Sequence, residues 1–316
     1  MPRAAVNPSR DIELKSVLVA TDFSSASENA LRHAVSIAQH YGAKLYLMHV
    51  VSSLGLTIAG PDALAQATRA ALRDAQSTET QLLASGALRD IGHQVIVTPG
   101  DVWPELQAVI RDEAVNLLVV GTHGRAGWKK LVLGSVAEQI FRHARCPVLT
   151  VGPCSAPDAR LLANETPAPV LFATDFSEAS LNALPYATSL ANQRRTKLVL
   201  LHMLSPVPEF EHTRRYTATD VINMRAAADA AIQRRLRHLV ANVHLEFEPT
   251  FMTDFGEPAE GILRAAGELH PDLIVMGLRP RTHVGTISHL RWSTAYEVIC
   301  DAECPLLTVR TENSPG

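Results

Sequence analysis

Residues 16–50 read SVLVATDFSSASENALRHAVSIAQHYGAKLYLMHV, and residues 169–203 read PVLFATDFSEASLNALPYATSLANQRRTKLVLLHM. The two stretches align without a gap, and 19 of the 35 positions are identical. Later blocks repeat as well: NLLVVG (116–121) with DLIVMG (272–277), and CPVLTV (146–151) with CPLLTV (304–309). The offset grows from 153 to 158 along the way, so each half is a copy of one folding unit, with small insertions in the second. Between the copies, the prolines at 153, 157, 167 and 169 read as a linker. The 316 residues therefore divide into two domains of ordinary size, expected at 1–152 and 169–316.

Within one copy two periods alternate. VLVA (17–20), LYLMHV (45–50), VIV (95–97), LLVV (117–120) and VLTV (148–151) are short apolar runs without polar alternation, the mark of strands buried on both faces. Over 25–41, Ala30, Ala34, Ile37, Ala38 and Tyr41 fall on one helical stripe, with Ser24 or Ser25 as N-cap and Glu28 at capping-box spacing from Ser25. Further helices are expected at 61–91, 101–114 and 135–144. In the second copy Pro185 should kink the matching helix or shift its start. The expected class is α/β: two tandem copies of a five-stranded parallel open sheet, Rossmann-like, with helices on both faces. In such sheets ligands bind at the carboxyl ends of the strands, where strand order reverses.

Composition excludes several functions. Aromatic residues are 5% of the chain, too few for a base-stacking platform. Neither half has the basic excess of a phosphate-backbone binder: residues 1–158 hold 14 basic and 14 acidic side chains, the rest 15 and 18. No nucleic-acid partner is expected. No apolar run approaches a bilayer span of about 18 residues, and the polar start lacks a secretory signal, so the expectation is a soluble protein without a membrane partner. Cys146, Cys154, Cys300 and Cys304 form no CxxC pair, which suits a reducing cytoplasm. None of the 13 histidines forms a compact metal-ligand pattern, so no metal site is assigned.

The chemistry concentrates after the strand LLVVG. There the sequence runs Gly121-Thr122-His123-Gly124-Arg125-Ala126-Gly127, and Gly134-Ser135 follows at the opening of the last helix: a G-x2-G-x9-G-S pattern. Glycines let the backbone approach a ligand and expose N–H donors, and a helix start favours an anion. A phosphate cradle is the chemical reading; a loop that only turns from strand to helix is the alternative. Asp22, directly after the first strand, could accept from a ribose or base edge, hold a metal between phosphates, or cap the helix.

ATDFS, LMHV and GTHGRAGWKKLVLGSVAEQIFRHARCPVLTVG resemble the universal stress protein family in its tandem form, over nearly the whole chain. The resemblance implies a five-stranded α/β domain, a cytoplasmic setting, and ATP, alone or with Mg²⁺, as the ligand of many members. It implies that Ala20, Thr21 and Asp22 lie around adenine and ribose, and that Val50 meets the base. It places Gly121, His123, Gly124 and Arg125 in the ribose and phosphate loop, and Gly134, Ser135 and Val136 at the phosphate-binding helix start. It also implies that terminal strands pair about a two-fold axis, so VLTV and LLTV are expected to meet and pack the two copies as a pseudo-dimer, with homo-oligomers beyond that open.

The second copy departs from the pattern. Pro280 stands where Gly124 is and Trp292 where Gly134 is, and 11 residues instead of nine separate them. Proline removes a donor and an indole fills space that phosphate would need. The expected function is thus a nucleotide-dependent regulatory or protective stress protein with its nucleotide in the first copy. A slow ATPase or phosphotransferase lacks a G-x4-G-K-[ST] loop and a second carboxylate, and a nucleotide-free scaffold leaves one intact loop unexplained.

Overall fold

The computed structural model describes residues 12–52, 61–122, 135–152, 167–204, 217–278 and 294–310. The first copy contains β1 (Ser16–Ala20), α1 (Ser25–Tyr41), β2 (Lys44–Ser52), α2 (Pro61–Ala84), β3 (His93–Gly100), α3 (Val102–Asp112), β4 (Leu117–Gly121), α4 (Ser135–His143) and β5 (Val148–Val151). The second contains β6 (Val170–Ala173), α5 (Glu178–Gln193), β7 (Leu198–Leu204), α6 (Ala218–Val240), β8 (Thr250–Phe255), α7 (Pro258–Leu269), β9 (Leu273–Leu278), α8 (Thr294–Asp301) and β10 (Leu306–Arg310). All five apolar runs of the first copy are strands. The chain divides into two compact units, Glu13–Glu165 with Ile299–Thr308, and Thr166–Val298 with Met1–Ile12 and Val309–Gly316.

In the first unit the parallel strands lie in the order β3-β2-β1-β4-β5, and the winding direction reverses between β1 and β4. Both faces of the sheet are covered. Alternate residues Leu18, Tyr46, Met48, Leu118, Val120 and Val148 form one buried cluster with Leu106 of α3 and Ile140 of α4, while α1 packs on β1 and β4, and α2 on β2 and β3. Burial on both sides is why these runs carry no polar alternation. β10 runs antiparallel to β5 within this unit, with Leu306 opposite Thr150 and Thr308 opposite Val148. The hydroxyl of Thr150 donates to Leu306 O at 3.0 Å and that of Thr308 to Val148 O at 3.3 Å. VLTV and LLTV therefore meet, making the sheet mostly parallel. In the second unit β6 lies between β7 and β9, with β8 beyond β7, all parallel.

Local sequence explains the helix limits. Ser24 caps α1, its Oγ accepting from Ser27 N at 3.3 Å, and Gly42 ends the helix in the left-handed region at φ 62°. Because the cap is Ser24, Glu28 does not complete a capping box. α2 stops at Ala84 rather than 91: Gly86 takes φ 74°, and the turn buries Leu88 and Ile91. α5 runs through Pro185 with its start unshifted, since Ser177 caps it as Ser24 caps α1. Tertiary burial overrides the proline: Ala183, Leu184, Pro185, Ala187, Thr188, Leu190 and Ala191 are all buried.

Candidate functional site

The strand-order reversal in the first unit lies at the carboxyl ends of β1 and β4, where Ala20 pairs with Val120 across the strands. Ala20, Thr21 and Asp22 leave β1 here and Gly121 ends β4, with Thr122 N donating to Val151 O at 3.0 Å. Val50 lies near the end of β2, opposite Thr98 of β3. α4 begins at Ser135. Ala20, Val50 and Val136 pack against the same buried cluster, on the face covered by α3 and α4, together with Val102 and Trp103. Three predicted residues from three separate elements thus border one apolar floor. Asp22 is half-buried beside it, whereas its counterpart Asp175 is exposed. His123, Gly124, Arg125 and Gly134 lie outside the described residues.

The corner after β1 is closed by a network of side-chain hydrogen bonds. Thr21 Oγ1 accepts from Phe23 N and donates to Ser27 Oγ, both at 3.0 Å, and Ser27 Oγ donates to Ser24 O at 2.9 Å. Asp22 Oδ1 accepts from Ser24 N at 3.0 Å. Phe23 takes φ 58°, a left-handed conformation costing a bulky residue about 1–2 kcal/mol. His49 Nδ1 stands 2.7 Å from Thr21 O, so that nitrogen carries the proton and donates, and Phe23 packs on the imidazole at 5.0 Å. Sequence reasoning missed His49 and the strained Phe23. The repeat held the clue, because LMHV (47–50) returns as LLHM (200–203) with the histidine in place.

The second copy rebuilds this corner with equivalent atoms: Thr174 Oγ1 with Phe176 N and Ser180 Oγ, Asp175 Oδ1 with Ser177 N, and His202 Nδ1 with Thr174 O at 2.7 Å. Phe176 also takes φ 58° and packs on His202 at 4.7 Å. What differs is the floor. Met203 replaces Val50, and its thioether lies flat on Gly261 of α7, where any Cβ would overlap its Sδ and Cε. Glu105 holds the matching place in the first copy, its carboxylate folded over Gly100, where a Cβ would stand 2.8 Å from Oε1. A longer side chain thus stands in the second copy where the first has a valine.

The first-copy arrangement suits a nucleotide: an apolar floor for a base, an acceptor at Asp22, and a helix start nearby for an anion. Among the described residues no group of three or more His, Cys, Asp or Glu side chains could hold a metal ion. No described helix is long and apolar enough to cross a membrane.

A family model, the Universal stress protein family, matches residues 13–152 and again 168–310. Universal stress protein MJ0577 of Methanocaldococcus jannaschii is 28% identical over 152 residues, which span 43% of this chain and 94% of that protein. Universal stress protein Rv2623 of Mycobacterium tuberculosis is 30% identical over 197 residues, 60% of this chain and 64% of that protein. Among solved structures, a universal stress protein from Archaeoglobus fulgidus superposes with a TM-score of 0.64 at 20% identity, over 95% of this chain and 99% of that one, a likeness of fold. Matched twice by one family model, the chain belongs to the universal stress protein family, with two copies of the domain in tandem.

Proposed function

We propose that this protein binds one adenine nucleotide, ATP alone or with Mg²⁺, at the carboxyl edge of its first copy and acts as a nucleotide-dependent regulatory or protective stress protein. The observation that carries this reading is the convergence of Ala20, Val50 and Val136 on one apolar floor beside Asp22, at the reversal of strand order. The G-x2-G-x9-G-S motif supplies the phosphate side through Gly121, His123, Gly124, Arg125, Gly134 and Ser135. The second copy, in which Met203 lies over Gly261 and the sequence carries Pro280 and Trp292 in place of Gly124 and Gly134, serves as a packing or regulatory partner.

The domain limits 1–152 and 169–316 and pairing of the copies as a pseudo-dimer belong to the same proposal. The β5–β10 ladder with its reciprocal threonine bonds supports the pairing. A cytoplasmic setting is proposed on the free thiol of Cys146 and on a sequence whose four cysteines form no CxxC pair. The site is tested by copying the second copy into the first. Val50→Met should weaken ATP binding at least tenfold, and Gly124→Pro or Gly134→Trp should abolish it with circular dichroism unchanged. Retained affinity in all three contradicts the assignment.

A further inference from the structure

The imidazole of His49 is held on one side by the Thr21 carbonyl and on the other by the ring of Phe23. Neighbouring residues of a strand point to opposite faces. Val50 packs against the floor shared with α3 and α4, so the His49 side chain lies on the α1 and α2 side and cannot touch a base seated on Val50. It nonetheless grips the residue that precedes Asp22. Thr21 is fixed at its N–H by Met48 O (2.9 Å), at its carbonyl by His49 and at its hydroxyl by Phe23 N and Ser27. The direction in which Asp22 leaves the sheet is set by those bonds, and a left-handed Phe23 immediately after it persists only while they hold.

We propose that His49 is a positioning residue for the Thr21–Asp22 corner, so that nucleotide affinity in the first copy depends on an imidazole that contacts no ligand atom. The proposal rests on the nucleotide reading above. Because the second copy repeats the network through His202, Thr174 and Phe176 with Met203 in place of Val50, His202 is its internal control. One difference sets that control apart: the Arg235 guanidinium lies 4.0 Å from the Phe176 ring, a further brace on the second corner.

The test uses the full chain and four variants, His49→Ala, His49→Asn, His49→Gln and His202→Ala, with calorimetric titration of ATP and adenosine and thermal unfolding of each. Asparagine places an amide donor where Nδ1–H stands, and glutamine places it one bond further out. His49→Ala should weaken ATP about tenfold, the scale of one lost positioning hydrogen bond. Adenosine should weaken by the same factor, because the affected corner faces base and ribose. His49→Asn should recover most of the affinity, His49→Gln should not, and His202→Ala should leave ATP binding within about twofold. If His49→Ala binds ATP like the unaltered chain, or if Asn and Gln variants bind alike, His49 is structural only and the proposal falls. Failure of the unaltered chain to bind ATP overturns the nucleotide reading itself, an outcome visible before any variant is compared.

Discussion

Gly277, in β9, lies directly under the backbone of Ala179 at the start of α5: a methyl group at Gly277 would overlap the Ala179 carbonyl and the Ser180 nitrogen. Backbone, unlike the tip of a side chain, cannot swing aside. A glycine next to the end of this strand is therefore needed for helix-on-strand packing whether or not a ligand is present. Gly121 aligns with it in sequence, at the end of β4, the strand on which α1 packs. Gly277→Ala should cost about 1–3 kcal/mol in chemical denaturation, the usual range for overpacking. A loss under about 0.5 kcal/mol contradicts the packing account.

Arg194 and Asp272 form an ion pair in the second unit, the Arg194 side chain only 2% exposed. Burial lowers the guanidinium pKa, opposed by Asp272, and Arg194 Nε and Nη1 meet no acceptor among the described residues. Asp272 also accepts from Ala168 N at 2.8 Å. The first copy does this last task without charge: Asn116 Oδ1 accepts from Lys15 N at 2.7 Å and Ser16 N at 3.1 Å. Arg194→Met alone should destabilise by about 3 kcal/mol, since it leaves a carboxylate without its counter-charge. Adding Asp272→Asn, which copies Asn116, should restore part of that loss. Additive losses in the double variant would argue against the coupling.

The fold was readable because the repeat and the doubly buried strands left little choice, and the 25–41 helix was bounded by a serine cap and a glycine. The helix expected over 61–91 ends at Ala84, before Gly86, which takes a positive φ. Pro185 did not shift the start of α5, which Ser177 caps as Ser24 caps α1, and the helix around it is buried. At the site, Asp22 followed from its place directly after the first strand, whereas Ala20 and Val50 were implied by the family resemblance. The His49–Thr21 bond could not be read, because a left-handed phenylalanine carries no local signature and the imidazole's partner is a backbone carbonyl 28 positions away.

Burial of Cys146 raises its thiol pKa to about 11 from an ordinary 9.0. Only a trace of thiolate exists at pH 8, so Cys146 should resist alkylation in the native protein and react readily once the chain is unfolded, as followed by mass spectrometry of its peptide. The linkage has a definite sign. A pKa raised by folding contributes stability that is complete below about pH 9 and is lost as pH rises through about 11. Rapid native labelling at pH 8 contradicts the buried thiol.

How many nucleotides the chain binds turns on one asymmetry: the two copies share the hydrogen-bonded corner after the first strand, while a valine borders the floor in the first and a methionine stands there in the second. Calorimetric titration of the full chain with ATP and Mg²⁺, joined to mass spectrometry of any nucleotide released on denaturation, tests it most directly. The account predicts close to one adenine nucleotide per chain, with affinity lowered by Val50→Met and unchanged by substitutions at Met203. A stoichiometry of two, or no binding at all, contradicts it.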